Sequence, residues 1–244
     1  MPESFEGQDL SGATFWGVDL SGAHFRDVDL TNATMKNAWL VSVDIDGLVD
    51  KVTINGVDVT AYVNERDPWY PLRAMLRPPD PEGLRTAWAA LEKLWATTLD
   101  RARTLPEAKL YESVKKEWSF VQTLRHLVFA LDKWFTVPIL GEDFDPIVLP
   151  NSGSDALDWP GRDRAANPTF AEAIEVLAVR ETRLHEYLES VTGHDLTKSV
   201  DVLENGTTPI RECLYTVLEE EFEHNRYATR DLAQLEEVAR TRRR

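Results

Sequence analysis

The chain of 244 residues contains a single cysteine, Cys213, so no disulfide can form within it. That excludes a disulfide-stapled scaffold and a four-cysteine zinc site, and Cys213 is expected to be a buried helix residue. Positive charge is also scarce: 27 Lys and Arg stand against 42 Asp and Glu. A surface that tracks nucleic-acid phosphates needs clustered cations, and the one basic run is Arg240 to Arg244. Nucleic acid is therefore not expected as a partner, and the run reads as a solvated end. No uncharged apolar stretch is long enough to span a bilayer, and Met-Pro-Glu-Ser lacks the basic start of a signal peptide. A cytoplasmic protein with no membrane partner is expected. Apolar content is not scarce: 43% hydrophobic residues suffice for a core, in one large domain or two small ones.

A large apolar residue recurs every five positions: Phe5, Leu10, Phe15, Leu20, Phe25, Leu30, Met35, Leu40 and Ile45. Two positions before most of them stands a small or β-branched residue, such as Ala13, Val18, Ala23 and Val28. Neither a helix nor a strand has that period, so this is a repeat architecture. It reads as a square coil whose large residues fill the axis. Asp9, Ser11, Asp19, Ser21, Asp29 and Thr31 then occupy corners and outer faces. After Ile45 the phase slips, and Asn55-Gly56 marks a turn.

This segment resembles the pentapeptide-repeat family, whose pattern is often written A-(D/N)-L-x-x. Ala33-Thr34-Met35 and Ala38-Trp39-Leu40 keep its small residue, and Asp9-Leu10, Asp19-Leu20 and Asp29-Leu30 keep its acidic one. The resemblance implies a short right-handed quadrilateral β-helix over residues 1–60. Long coils of this kind can mimic DNA, but roughly nine repeats make only about two turns, so a capping or docking module is expected.

Residues 61–81 read as a linker dense in Pro68, Pro71, Pro78, Pro79 and Pro81. Residues 82–244 then show four amphipathic helices. The first runs from Glu82 to Thr104, with Leu84, Trp88, Leu91, Trp95 and Leu99 at spacings of three and four. The second runs from Ser119, a capping residue, to Phe135, stopped by Pro138 and Gly141. A long loop, Glu142 to Pro168, precedes the third helix, Thr169 to Val191. Lys198 to Pro209 reads as an irregular or hairpin-like connection, and the fourth helix runs from Ile210 to about Arg240. The expected fold is mainly α, an antiparallel four-helix bundle behind the repeat coil.

A bundle builds its sites from polar residues facing inward on neighbouring helices. His126 lies among apolar neighbours in the second helix and, taken alone, reads more readily as a core histidine with one hydrogen-bond partner. In the fourth, Glu220 and His224 are four apart and share a face, within an acidic run that also reads as a solvated surface. One carboxylate and two imidazoles can hold a divalent metal and leave positions open for water and substrate.

Glu117-Trp118-Ser119-Phe120 through Arg125-His126-Leu127, and Glu220-Glu221-Phe222-Glu223-His224 through Arg230-Asp231-Leu232, resemble the DinB-like superfamily over about residues 80–235. The resemblance implies a divalent metal, often zinc or nickel, with His126 and His224 at the first and last ligand positions and Glu220 where the family carries a histidine. In a register shifted by one residue, Glu221 and Asn225 take those helix positions instead. Some members are transferases or isomerases that use low-molecular-weight thiols such as mycothiol or bacillithiol. The implied partners are such a thiol and a small electrophile, with Arg125, Arg226 or Asp145 orienting the substrate. The alternative is a non-catalytic bundle with a degraded metal site, its coil docking a partner or a second copy to give a homodimer.

Overall fold

A turn every five residues requires, at the same interval, a residue that accepts a positive φ. Gly7, Gly12, Gly17, Gly22, Asn32, Asn37 and Ser42 have φ between 56° and 75°, and each stands two positions after a large apolar residue. Ala13, Ala23 and Ala33 donate their N–H to the carbonyls of Leu10, Leu20 and Leu30 at 2.9, 3.0 and 2.9 Å. A left-handed third residue under such a bond is the arrangement of a type II turn, which favours Gly or Asn there. The Asp9, Asp19 and Asp29 carboxylates accept the N–H groups of Ser11, Ser21 and Thr31 at 2.9, 2.9 and 2.8 Å, so the acidic position of the repeat pins the turn.

The computed structural model describes residues 4–5, 7–25, 28–159 and 161–241. Pro160 and Arg242 to Arg244, most of the terminal basic run, lie outside them. The chain divides into two compact units, Met1–Asp46 and Gly47–Arg244. The expected quadrilateral β-helix is not seen in the first. Its described residues form no strand, and the large apolar residues expected to fill an axis are exposed. With a turn in every five residues, few remain between corners to pair as a ladder.

The second unit begins with a hairpin, β1 (Thr53–Ile54) and β2 (Val57–Asp58). Asn55 and Gly56 both have positive φ, 51° and 79°, as a two-residue type I′ turn requires. Two short helices follow in the proline-rich stretch, α1 (Thr60–Asn64) and α2 (Tyr70–Arg73). The helix α3 (Pro81–Arg103) starts on Asp80, whose carboxylate accepts the Gly83 N–H. Ser119 and Gln122 form a capping box at the start of α4 (Phe120–Leu131).

The chain then continues beyond the expected stop. A π-helical turn (Asp132–Thr136) leads into α5 (Val137–Leu140), which contains Pro138. Proline has no N–H and crowds the carbonyl of the preceding turn, and the wider π turn relieves both conflicts. Gly141, at φ 72°, ends the helix; its N–H bonds to Val137 O, and that of Glu142 to Thr136 O.

Among its described residues the long loop contains one short helix, α6 (Ser152–Asp155). Thr169 and Glu172 box the start of α7 (Phe170–Ser190). The expected connection is an antiparallel hairpin, β3 (Ser199–Val202) and β4 (Gly206–Pro209), leading into α8 (Ile210–Thr241).

The unit is thus mainly helical. The helices α3 and α4 each pack against both α7 and α8. Their apolar stripes, including Leu91, Leu127, Leu184 and Phe222, merge into one buried cluster, each such side chain contributing about 1.5–3 kcal/mol on burial. Cys213 is buried as expected, and burial pushes its thiol up to about 11. Among the described residues no helix is long and apolar enough to cross a membrane.

Candidate metal centre

The spacing of α8 carries Glu220 and His224 on one face, and that face meets His126 of α4. One Glu220 oxygen, Oε2, lies 3.3 Å from His126 Nε2 and 3.0 Å from His224 Nε2. One ligand atom from each of the three lies within 4.8 Å of the others, the only such group of three among the described residues. His126 is buried and the other two are partly buried.

The tautomer of His126 follows from its other nitrogen. Nδ1 stands 2.9 Å from Leu149 O, and a carbonyl can only accept, so Nδ1 carries the proton. In the neutral ring Nε2 then presents a lone pair toward a carboxylate oxygen. Two acceptors face to face need a cation between them, either a second proton on His126 or a metal ion. Two imidazoles and a carboxylate suit a borderline divalent metal, and a backbone carbonyl behind the ligand is the usual outer support. The residues fit the group. Burial pushes the Glu220 carboxyl up, but the two imidazoles outweigh it and hold it well below the usual carboxylate range.

The register shifted by one residue is not the one α8 presents to His126. Glu221 and Asn225 are fully buried on another face. Asn225 donates to Thr98 of α3 at 3.0 Å, and Trp95 donates its indole N–H to Glu221 O. Burial pushes the Glu221 carboxyl well up, and the nearby Glu181 and Glu220 add to this. Two consecutive glutamates therefore have opposite tendencies, because one faces imidazoles and the other faces the core.

Aromatic rings wall the centre. Trp118 lies 4.4 Å from the His126 ring and stacks on His224 at 5.9 Å, with Phe129 and Tyr227 close by. Such a shell limits water and strengthens charge interactions inside it. Sequence reasoning assigned no role to Trp118, although it adjoins the Ser119 cap that fixes where α4 begins. The Leu149 carbonyl had no sequence signal at all, since every residue carries one.

Arg125, Asp145 and Arg226 all have structural partners. Arg125 donates to Ile147 O at 2.7 Å. Asp145 pairs with Arg180 at 3.3 Å. Arg226 pairs with Glu223 at 2.8 Å and lies over Trp69 and Phe222.

A family model described as the DinB superfamily matches residues 90–228. A second, described as pentapeptide repeats, matches eight copies over residues 9–47. No curated protein and no solved structure matches the chain.

Proposed function

The chain belongs to the DinB superfamily, and from that footing we propose that it holds one divalent metal, zinc or nickel, at His126, Glu220 and His224 and serves as a thiol-dependent transferase. The observation that carries the reading is the meeting of three ligand atoms within 4.8 Å from two helices, with the tautomer of His126 set by Leu149. A divalent metal at these residues supplies Lewis acidity, which lowers the pKa of a thiol at neutral pH.

In this reading the four long helices act as an antiparallel bundle that holds the ligands rigidly. Glu220 offsets the metal's charge, and the Leu149 carbonyl keeps the His126 lone pair on Nε2. Trp118 and Tyr227 give a small electrophile an apolar surface. A low-molecular-weight thiol of the mycothiol or bacillithiol class is the co-substrate. Its sulfur forms a bond to the electrophilic carbon, the bond to the leaving group breaks with its electron pair, and the thiol proton passes to solvent. A cytoplasmic setting and a homodimer belong to the same proposal.

A second reading, a non-catalytic interaction module, has one observation in its favour. Arg125, Asp145 and Arg226 are held by internal contacts, so none of them is poised for a substrate. Metal content after purification without a chelating column separates the two. One equivalent in the native chain, lost in His126→Ala and in His224→Ala while both variants stay folded, supports the site. An empty native chain after incubation with zinc and with nickel rejects the enzyme.

A further inference from the structure

The π turn that ends α4 places Asp132 fully inside the protein, six residues after His126. Its Oδ1 accepts from Thr136 at 2.6 Å and faces Arg180 Nε at 3.1 Å, while Oδ2 accepts the Asp145 N–H at 2.7 Å. A buried carboxylate with this many donors is a fixed anchor, and what it anchors is the loop. Asp145 passes the constraint on: its Oδ1 accepts the Ile147 N–H at 3.0 Å, and its Oδ2 pairs with the same Arg180.

Arg125 holds the other end of the segment. Its Nε donates to Ile147 O at 2.7 Å, and its own carbonyl accepts the Leu149 N–H at 3.2 Å. Leu149 O then receives His126 Nδ1 at 2.9 Å. Residues 145–149 therefore form a strap pinned at both ends to α4 and its π turn, and the free carbonyl of that strap meets the buried imidazole. A carbonyl displaced by even an ångström loses much of its hydrogen bond, and the ring then has no reason to keep its proton on Nδ1.

We propose that Arg125 and Asp132 are positioning residues for His126, holding the 145–149 strap so that the Leu149 carbonyl fixes the tautomer and orientation of that ring. The metal consequence rests on the reading of the centre given above; the tautomer does not.

The test uses the full chain. Imidazole nitrogen NMR of metal-free protein at about pH 8, where an ordinary histidine is neutral, reads the tautomer directly. The native chain is expected to show the His126 Nδ1 proton held in the hydrogen bond to Leu149 O. Arg125→Ala and Asp132→Asn are expected to give a mixture of tautomers and a zinc affinity weaker by about 10–100-fold. Arg125→Lys, which can still donate to Ile147 O, is expected to recover most of both. Thermal unfolding checks that each variant is folded; should Asp132→Asn not fold, Arg125→Ala with its lysine rescue carries the test. An unchanged tautomer in Arg125→Ala overturns the proposal, and so does an equal loss in Arg125→Lys. A native chain that shows the Nδ1 tautomer but binds no zinc upholds the strap and rejects the metal.

Discussion

In residues 4–46, Phe15, Phe25 and Leu30 are each more than half exposed, and Trp16 and Trp39 are 91% exposed; in the helical unit Phe129, Phe135 and Phe222 are at most 1% exposed. Both regions are written with large apolar residues at a regular spacing, five in the repeat unit and three or four in the helices, so spacing and residue size alone do not determine burial. In the repeat unit the described order comes from the backbone: a positive φ every five residues, a turn bond, and an aspartate accepting an N–H two residues on. In the helical unit the stripes of α3 and α4 each meet those of α7 and α8, and order comes from contacts far apart in the chain.

The largest break in this comparison is a pair of truncations. Phe135→Ala is expected to destabilise the helical unit by about 3–5 kcal/mol, because a fully buried ring leaves a cavity. Phe15→Ala, at a mostly exposed position, is expected to cost about 0.5 kcal/mol or less. Urea unfolding followed by tryptophan fluorescence measures both, and comparable losses would mean that Phe15 has a buried partner.

A pH scan sharpens the comparison from the other side, since charge behaves differently where the interior is dry. Burial, and then the nearby Glu92, push the Glu181 carboxyl up to about 7. A carboxyl whose folded pKa lies above its unfolded value binds the proton more tightly when folded. Stability therefore falls as pH rises from the ordinary glutamate range through about 7. Glu181→Gln is expected to flatten that slope and to stabilise the protein on the alkaline side by on the order of 1–3 kcal/mol. Denaturant titrations on either side of neutrality test it, and an unchanged slope contradicts the assignment. The carboxylates of Asp9 and Asp19 in the repeat unit, fully exposed and held low by their hydrogen bonds to Ser11 and Ser21, add no slope near neutrality.

The smallest effect separates backbone from packing. Gly22 has φ +74° and open space around its Cβ position, so Gly22→Ala is strained by conformation alone, at about 1 kcal/mol. Hydrogen exchange at the Ala23 amide, which closes that turn, should quicken about fivefold. Gly193 of the helical unit also has open space but no positive φ, so Gly193→Ala should be neutral or slightly stabilising. Equal responses at the two glycines would remove the distinction.

The four long helices were legible from local marks, such as the Ser119 cap and apolar residues at spacings of three and four; the Asp80 and Thr169 caps, equally local, are seen in the structure. The continuation through Pro138 was not, because a proline is normally a stop and the compensating π turn has no sequence signature. The expected β-helix is not seen among the described residues for a related reason. Five-residue spacing specifies the turns, helped by Gly or Asn two residues after most of the large side chains, but pairing between coils is not a local property.

At the candidate metal centre, the sequence alone determined that Glu220 and His224 share a helix face, because four residues are close to one turn. It left open whether His126 is a core residue and whether α8 presents Glu220 or Glu221 to it. Only the tertiary structure decided those points. The rotation of α8 is set by the burial of Phe222, Glu221 and Asn225 against the rest of the core, and the tautomer of His126 is set by a backbone carbonyl 23 residues away. Both depend on which groups meet in space, which residue spacing along one helix does not specify.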